Sequence, residues 1–379
     1  MEIIPTFIFM MPVNIMKIKS ISALCGLFAL CCISEAIAQA PTQVAPTGIE
    51  IVQKLSKPKV KFNEKDLSGY LLVYFKDQTH SAYLAASADG YTFTDLNGGQ
   101  PIFIGSQLAE QKGVRDPHIA RGPDGAFYLA MTDLHIAGKR AGFRDTEWER
   151  PQEKYGWGNN RALVLMKSYD LVHWTHSDFR VDTAFPELGD IDCSWAPETI
   201  YDADKKKMMV YFTIRYNNKN AGIYWAYTND DFTKLEGVPQ RVTEIGGIDA
   251  DITKVGNKYQ MFYVGDAKIW HSVSDKINSG FPAAREKRID PEKVSTEAPN
   301  LFKRIGTDKY VLMYDVYGLR PSNMGFSETP DFVNFTDIGH FNEGQMKTTN
   351  FTSPKHGAVT YLTKAELKAI AEHWKVEIK

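Results

Sequence analysis

An internal repeat constrains the fold of this chain more than any other sequence feature. Five short apolar runs, rich in β-branched and aromatic residues, recur along the chain: Leu71–Phe75, Phe127–Met131, Met208–Phe212, Tyr259–Tyr263 and Tyr310–Tyr314. This composition is typical of β-strands that are covered on both faces. Most of the runs follow a tight polar turn, so the pattern indicates short strands joined by turns.

A polar turn followed by an aromatic residue recurs in step with these strands. The clearest copies are Ser87–Thr94 and Ser168–Thr175; weaker ones begin at Thr228 and Ser272, and the fifth is Ser327–Thr336. Repeats of about four strands are typical of β-propeller blades. A β-sandwich is the alternative, but it does not require the two features to recur together. We therefore predict an all-β fold, a five-bladed β-propeller.

The N-terminal region has the pattern of a signal peptide. Two lysines after Met16 precede an apolar run from Ile21 to Ile33, and Ala36–Ala38 offers a small-x-small cleavage site. The run is too short for a comfortable membrane span. We predict an upstream extension and signal peptide over residues 1–38, and a linker and N-terminal segment over 39–66. The mature protein is then expected to be secreted or periplasmic, without a membrane span.

The remaining residues, 67–379, are predicted to form the catalytic propeller domain with a short C-terminal helix. That helix is expected from Lys364 to about Trp374, because Thr363 can cap it and Glu366 stands at the capping-box position. Three of the four cysteines lie in the leader, so Cys193 has no partner for an internal disulfide.

Charge and ligand patterns narrow the partners. The formal net charge is -2, with no basic stripe, which argues against nucleic acid. No Cys/His cluster has zinc-like spacing and no calcium-type loop is evident, so no cofactor is demanded. We expect a monomer.

Acidic residues stand at the start of three blades. They are Asp116 in Val114–Ile119, Asp249 in Gly247–Ile252 and Glu297 in Thr296–Leu301. The innermost strand of each blade lines the propeller axis, so equivalent residues converge at one end of it. Three carboxylates there repel one another, which raises at least one pKa and leaves another group ionised. Glycoside hydrolysis needs that division between an acid and a base.

Some assignments stay open at this level. Any one of these acids alone is more often an exposed loop residue. Asp251 also competes with Asp249, because residues i and i+2 of a strand point to the same face.

These motifs together resemble glycoside hydrolase family 43, the five-bladed-propeller arabinofuranosidases and xylosidases. The resemblance implies that Asp116 is the general base, that Asp249 orients the acid and adjusts its pKa, and that Glu297 is the general acid. Ala298 departs from the family's Glu-Gly-Pro and leaves the backbone beside Glu297 less freedom.

Further residues are candidates for sugar contacts. Trp195 can stack on a sugar ring or be a core residue, and Glu198 can bind hydroxyl groups or cap a turn. By resemblance, His356 lies near the axis and holds water or an ion such as Ca²⁺. Trp157 lies in an aromatic insertion, residues 140–160, that can shape a binding site.

The sequence therefore predicts an exported, exo-acting, inverting glycosidase that acts on an oligo- or polysaccharide. The resemblance favours an α-L-arabinofuranosidase acting on side chains of plant polysaccharides. The alternatives are a β-xylosidase, a galactan- or fructan-cleaving hydrolase, and a non-catalytic carbohydrate-binding propeller.

Overall fold

The computed structural model describes residues 47–58, 61–136, 138–140, 142, 150–283, 285 and 287–379. The signal-peptide prediction lies outside these residues, as do residue 141 and residues 143–149 of the insertion, Trp148 among them. The strands of the described chain are β1 (Glu50–Ile51), β2 (Leu67–Lys76), β3 (Ser81–Ser87), β4 (Thr92–Asp95), β5 (Val114–Arg121), β6 (Phe127–Asp133), β7 (Ala162–Ser168), β8 (His173–Arg180), β9 (Cys193–Asp202), β10 (Lys207–Tyr216), β11 (Lys219–Thr228), β12 (Leu235–Gly246), β13 (Ile248–Val255), β14 (Lys258–Gly265), β15 (Lys268–Ser274), β16 (Glu297–Lys303), β17 (Tyr310–Val316), β18 (Asn323–Thr329), β19 (Thr336–His340), β20 (Lys347–Thr348) and β21 (Lys355–Thr363). The α-helices are α1 (Gly105–Leu108), α2 (Gln152–Tyr155), α3 (Val181–Ala184) and α4 (Lys364–Trp374).

The described strands form five sheets, which are the blades of a propeller. In order from the outside to the axis they are β20-β4-β3-β2-β21, β1-β8-β7-β6-β5, β12-β11-β10-β9, β15-β14-β13 and β19-β18-β17-β16. The five innermost strands contact one another in a closed ring, β21 to β5, β9, β13, β16 and back to β21. The predicted five-bladed β-propeller is thus confirmed.

Two strands from the chain ends are built into the blades. The last strand, β21, pairs antiparallel with β2, with Leu67 opposite Thr363 and Leu72 opposite Val359. The first blade therefore combines strands from both ends of the domain, and this pairing closes the ring of blades. Near the N-terminus, β1 adds a short parallel strand to the second blade, with Glu50 opposite His173.

The repeated turn has a local physical cause. In Ser168–Thr175, the Asp170 carboxylate accepts hydrogen bonds from the backbone N–H groups of Val172 and His173, at 2.9 and 2.8 Å. The Ser168 hydroxyl accepts one from Leu171 N, at 2.8 Å. Asp89 with Ser87 and Asp331 with Thr329 make the same contacts in their own blades. The sequence repeat is therefore a repeated side-chain-to-backbone turn.

The five apolar runs of the sequence all lie in the second strand from the axis. These are β2, β6, β10, β14 and β17, and their central residues are almost wholly buried between neighbouring blades. Because both faces of these strands pack against other sheets, both faces are apolar.

The C-terminal helix forms as the sequence indicates. The Thr363 side chain accepts a hydrogen bond from Glu366 N, and the Glu366 carboxylate accepts one from Thr363 N, which makes a complete capping box. Arg121 at the end of β5 also pairs with Glu366, so the cap attaches the helix to the second blade. Within the described residues, no helix has the length and apolar character needed to cross a membrane.

Candidate active site

All five innermost strands carry the same irregularity near their N-terminal ends. In each, the pairing with the neighbouring strand shifts register, and one non-glycine residue takes a left-handed conformation. The residues of this bulge ring are Asp116 (φ 49°), Ala196 (φ 45°), Asp249 (φ 49°), Ala298 (φ 54°) and His356 (φ 27°). Backbone strain of this kind costs of order 1–3 kcal/mol per residue and concentrates at functional sites. Its fivefold repetition marks this end of the axis.

The bulges sort the side chains into layers along the axis. We call the five residues that directly precede the bulge the outer ring: Arg115, Trp195, Ile248, Glu297 and Lys355. The residues two positions after the bulge form a deep ring: His118, Glu198, Asp251, Asn300 and Ala358. Along a regular strand, residues two positions apart point to the same face. A bulge adds one residue, so residues on either side of it no longer follow this rule.

The three predicted catalytic acids lie together in one axial pocket of about 550 Å³. Its lining residues are Asp77, His80, Arg115, Asp116, Leu134, Ile136, Trp157, Trp195, Ile248, Asp249, Glu297, Tyr317, Lys355 and His356. One expectation needs correction: the acids do not occupy matching blade positions. Asp116 and Asp249 belong to the bulge ring, whereas Glu297 stands one residue earlier, in the outer ring. In the blade of Glu297, the residue at the bulge is Ala298.

Asp116 is fixed by its neighbours in the pocket. Its Oδ2 accepts a hydrogen bond of 2.9 Å from the Thr132 hydroxyl, and its Oδ1 lies 3.4 Å from Nδ1 of His356. The same Thr132 hydroxyl accepts a hydrogen bond from Ala196 N, which links two bulges. Burial lowers the pKa of His356 to about 4, so its imidazole is neutral at neutral pH.

Asp249 and Glu297 hold their protons more tightly than ordinary carboxyl groups. Burial is the main cause that raises the pKa of Asp249 well above its usual range, and the nearby Glu297 and Asp116 add to it. Burial also raises the pKa of Glu297, while the Lys355 ammonium opposes the rise. The site therefore has the unequal carboxyl groups that acid–base catalysis uses.

Asp249 and Asp251 differ in their depth along the axis. The pairing of β13 with β14 shifts between Ile248 and Asp251, so the two aspartates lie in different rings. Both are buried, but only Asp249 is among the residues that line the pocket; Asp251 accepts hydrogen bonds from Asn300 Nδ2 and Leu301 N, each 3.2 Å.

Glu198, predicted as a sugar contact, is in the deep ring rather than in the pocket. Only 2% of it is exposed, and it accepts a 3.0 Å hydrogen bond from the Tyr211 hydroxyl. Because it follows the bulge at Ala196 by two residues, it faces the buried axis next to His118 and Asp251. It has no access to a sugar bound in the pocket.

The predicted aromatic contacts both line the pocket. The Trp195 indole N–H donates to the Gly158 carbonyl at 2.8 Å, and the Arg215 guanidinium lies 4.4 Å from the centre of the Trp195 ring. Trp157 packs edge-on against Trp195, with ring centroids 6.1 Å apart, and is 55% exposed. The described part of the insertion thus supplies one wall of the pocket.

The resemblance suggested an ion such as Ca²⁺ near His356, whose Nδ1 lies 3.4 Å from Asp116 Oδ1; Ca²⁺ prefers six to eight oxygen ligands. Among the described residues, His118, Glu198 and Asp251 have ligand atoms within 4.8 Å of one another. Burial raises the pKa of both carboxyl groups there, that of Asp251 to about 7. The two carboxyl groups can therefore share a proton.

Several pocket residues were not assigned a role from the sequence. Asp77 and His80 come from the turn between β2 and β3, and Arg115 and Lys355 directly precede bulge residues. For Arg115 and Lys355, the signal available in the sequence is that each stands directly before a predicted site residue. Nothing in the local sequence marks Asp77 or His80.

Part of the chain is similar in sequence to known glycosidases. Residues 65–368 match a family-43-related model described as "Probable glycosyl hydrolase domain". An α-L-arabinofuranosidase from Bifidobacterium longum subsp. longum is 25% identical over 228 residues, which cover 52% of this chain and 19% of that protein. The matched part thus spans about a fifth of the relative's length.

Solved structures with similar folds include two glycosidases. An α-L-arabinofuranosidase from Clostridium thermocellum is 14% identical, with 69% of this chain and 82% of that chain covered and a TM-score of 0.45. A β-xylosidase is 13% identical, with 60% and 78% covered and a TM-score of 0.45.

Proposed function

Because the chain belongs to the glycosyl hydrolases related to family 43, we propose that it is an exo-acting, inverting α-L-arabinofuranosidase. The observation that carries the proposal is the convergence of Asp116, Asp249 and Glu297 in one axial pocket. The substrate class follows the sequence motifs and the arabinofuranosidase relative. Side chains of plant polysaccharides are the proposed source of the terminal sugar.

Glu297 acts as the general acid. Its raised pKa keeps the proton on the carboxyl group until it is passed to the glycosidic oxygen. Its side chain lies in the outer ring and is 26% exposed. From this position it can reach a leaving group that extends towards solvent.

Asp116 acts as the general base that activates water. The Thr132 hydroxyl donates a hydrogen bond to its side chain, and the His356 imidazole lies beside it. Asp249, in the same ring as Asp116, orients Glu297, and burial with the nearby Glu297 and Asp116 raises the pKa of Asp249 itself. A water placed between sugar and base leads to inversion of the anomeric carbon.

A terminal sugar suits the shape of the pocket. The deep ring closes the axis below the acids. Its four polar members are almost wholly buried, so solvent does not reach past them. The pocket volume of about 550 Å³ is within the range of small-ligand sites. Trp195 and Trp157 offer aromatic faces on one side for the sugar and its leaving group.

The experiment is a substrate screen with a matched inactive variant. Purified protein is assayed on p-nitrophenyl glycosides of α-L-arabinofuranose, β-xylose and β-galactose, beside Asp116→Asn. We expect release from the arabinofuranoside, at least a hundredfold less in the variant, and an inverted anomer as the first product by NMR. Activity on the xyloside or galactoside alone would replace the proposed sugar, and a retained anomer would contradict the mechanism.

We further propose that the protein works without a metal, as an exported monomer. We expect that EDTA leaves the activity unchanged and that the mature N-terminus lies near residue 39. Light scattering should give the mass of a monomer. An intact Met1 on exported protein would contradict the cleavage.

A further inference from the structure

Lys355 is the cation closest to the proposed general acid. Its Nζ lies 3.3 Å from Asp77 Oδ2, 3.8 Å from Glu297 Oε1 and 3.8 Å from Asp315 Oδ2. Only 12% of its side chain is exposed. The ammonium group thus stands among three carboxyl groups at the edge of the pocket.

The repeat explains how Lys355 comes to face Glu297. Both are outer-ring residues, and their strands β21 and β16 are neighbours around the axis. Asp315 lies directly opposite Glu297 in the pairing of β16 with β17. Its Oδ2 also accepts a 3.2 Å hydrogen bond from His356 N, so the residue after Lys355 is fixed to the same carboxyl group.

We propose that Lys355 is a positioning residue for Glu297, whose ammonium group holds the acid at the pocket edge in the orientation that reaches the glycosidic oxygen. This rests on the proposed role of Glu297. Nothing in the sequence motifs or the comparisons assigns a role to Lys355. It would act through Glu297 rather than on the sugar.

Other charges also face Glu297 and must be included. Arg115 and Asp116 approach from β5, Asp77 from the turn after β2, Asp249 from β13 and Asp315 from β17. Arg115 is engaged by Asp77, at 2.6 Å, and no direct contact joins it to Glu297 among the described ion pairs. Burial disfavours the charge on Lys355, but Asp315, Glu297 and Asp77 together raise its pKa, so the group stays charged.

The sign of the effect follows from these contacts. A cation beside a carboxyl group favours its ionised form and lowers its pKa. Removing the Lys355 charge should therefore raise the pKa of Glu297 further. A residue that only filled space would not shift that titration.

The test is a direct titration that does not depend on knowing the substrate. Protein labelled with ¹³C at the glutamate carboxyl carbon is titrated by NMR, and the Glu297 signal is identified by its loss in Glu297→Gln. In Lys355→Met and Lys355→Gln we expect this pKa to rise by about one unit, since the pair is partly exposed. Lys355→Arg should stay close to the unsubstituted protein.

Lys347→Met is the matched control, because Lys347 is exposed on the outermost strand of the same blade. It loses one positive charge far from the pocket and should leave the Glu297 titration unchanged. An unchanged or lowered Glu297 pKa in both neutral Lys355 variants would overturn the proposal. The proposed function fails separately, if Glu297→Gln keeps full turnover on the arabinofuranoside.

Discussion

Blades three and five share a backbone but differ in chemistry. Both carry an Ala-Pro pair at the bulge, with Ala196 and Ala298 in the left-handed region. The outer-ring residue before it is Trp195 in one blade and Glu297 in the other. Opposite these stand Thr213 and Asp315, respectively.

The difference shows how a repeated frame acquires a single active site. The strained bulge fixes where an outer-ring side chain points, whichever residue occupies it. The chemistry is then set by one residue per blade and by its partner on the next strand. In one blade a tryptophan offers an aromatic surface, the proposed sugar contact; in the other, burial raises the pKa of a glutamate, the proposed acid.

The largest expected effect comes from replacing the acid. Glu297→Gln keeps the shape but cannot donate a proton to the leaving oxygen, so kcat should fall roughly 100- to 10,000-fold. Steady-state kinetics on the arabinofuranoside measures this loss. Circular dichroism should show an unchanged fold, and near-normal kcat in a folded variant would remove Glu297 from the mechanism.

The next effect is the dependence of the rate on pH. The reaction needs Glu297 protonated, and burial raises its pKa above the usual glutamate value. Activity should therefore persist to higher pH than an exposed glutamate would allow. It should then fall about tenfold per pH unit as the pH rises through that pKa.

A pH profile of kcat/KM on the arabinofuranoside tests this. The alkaline limb should disappear in Glu297→Gln, because the titrating group is gone. An alkaline limb that persists unchanged in the variant would assign it to another group.

The propeller itself was predictable from the sequence because its cause is local. Three of the repeated turns are made by a serine or threonine and an aspartate two residues later, as at Ser168 and Asp170. The central residues of each second strand are buried and mostly apolar. Such patterns repeat in the sequence whenever they repeat in the structure.

The layers of the site were less predictable, because they depend on the bulges. Strand periodicity places Asp249 and Asp251 on one face and treats Glu198 as accessible. The register shifts in β9 and β13 put Glu198 and Asp251 in the deep ring instead. Asp77 and His80 were missed because a turn distant in sequence brings them to the axis.

A moderate effect is expected in blade three, where Trp195 stands at the position that Glu297 has in blade five. Trp195→Ala removes the ring that lines the pocket, and KM on the arabinofuranoside should rise roughly five- to tenfold with a smaller change in kcat. Trp195→Phe keeps an aromatic face and should lose less. If KM is unchanged in Trp195→Ala, the ring belongs to the packing around Arg215 and not to the sugar site.

The smallest effect concerns the strain that the two blades share. Ala298→Gly and Ala196→Gly should each raise the free energy of unfolding by roughly 0.5 to 1 kcal/mol, because glycine adopts a positive φ without steric cost. Urea denaturation measures this, and Ala298→Val should destabilise, since a β-branched side chain is strained there. The two glycine variants should differ in activity: only the one beside Glu297 gives the acid more freedom, so kcat should change in Ala298→Gly and not in Ala196→Gly. Equal changes in kcat would mean that the bulges act on the site as one ring, and not each through its own outer residue.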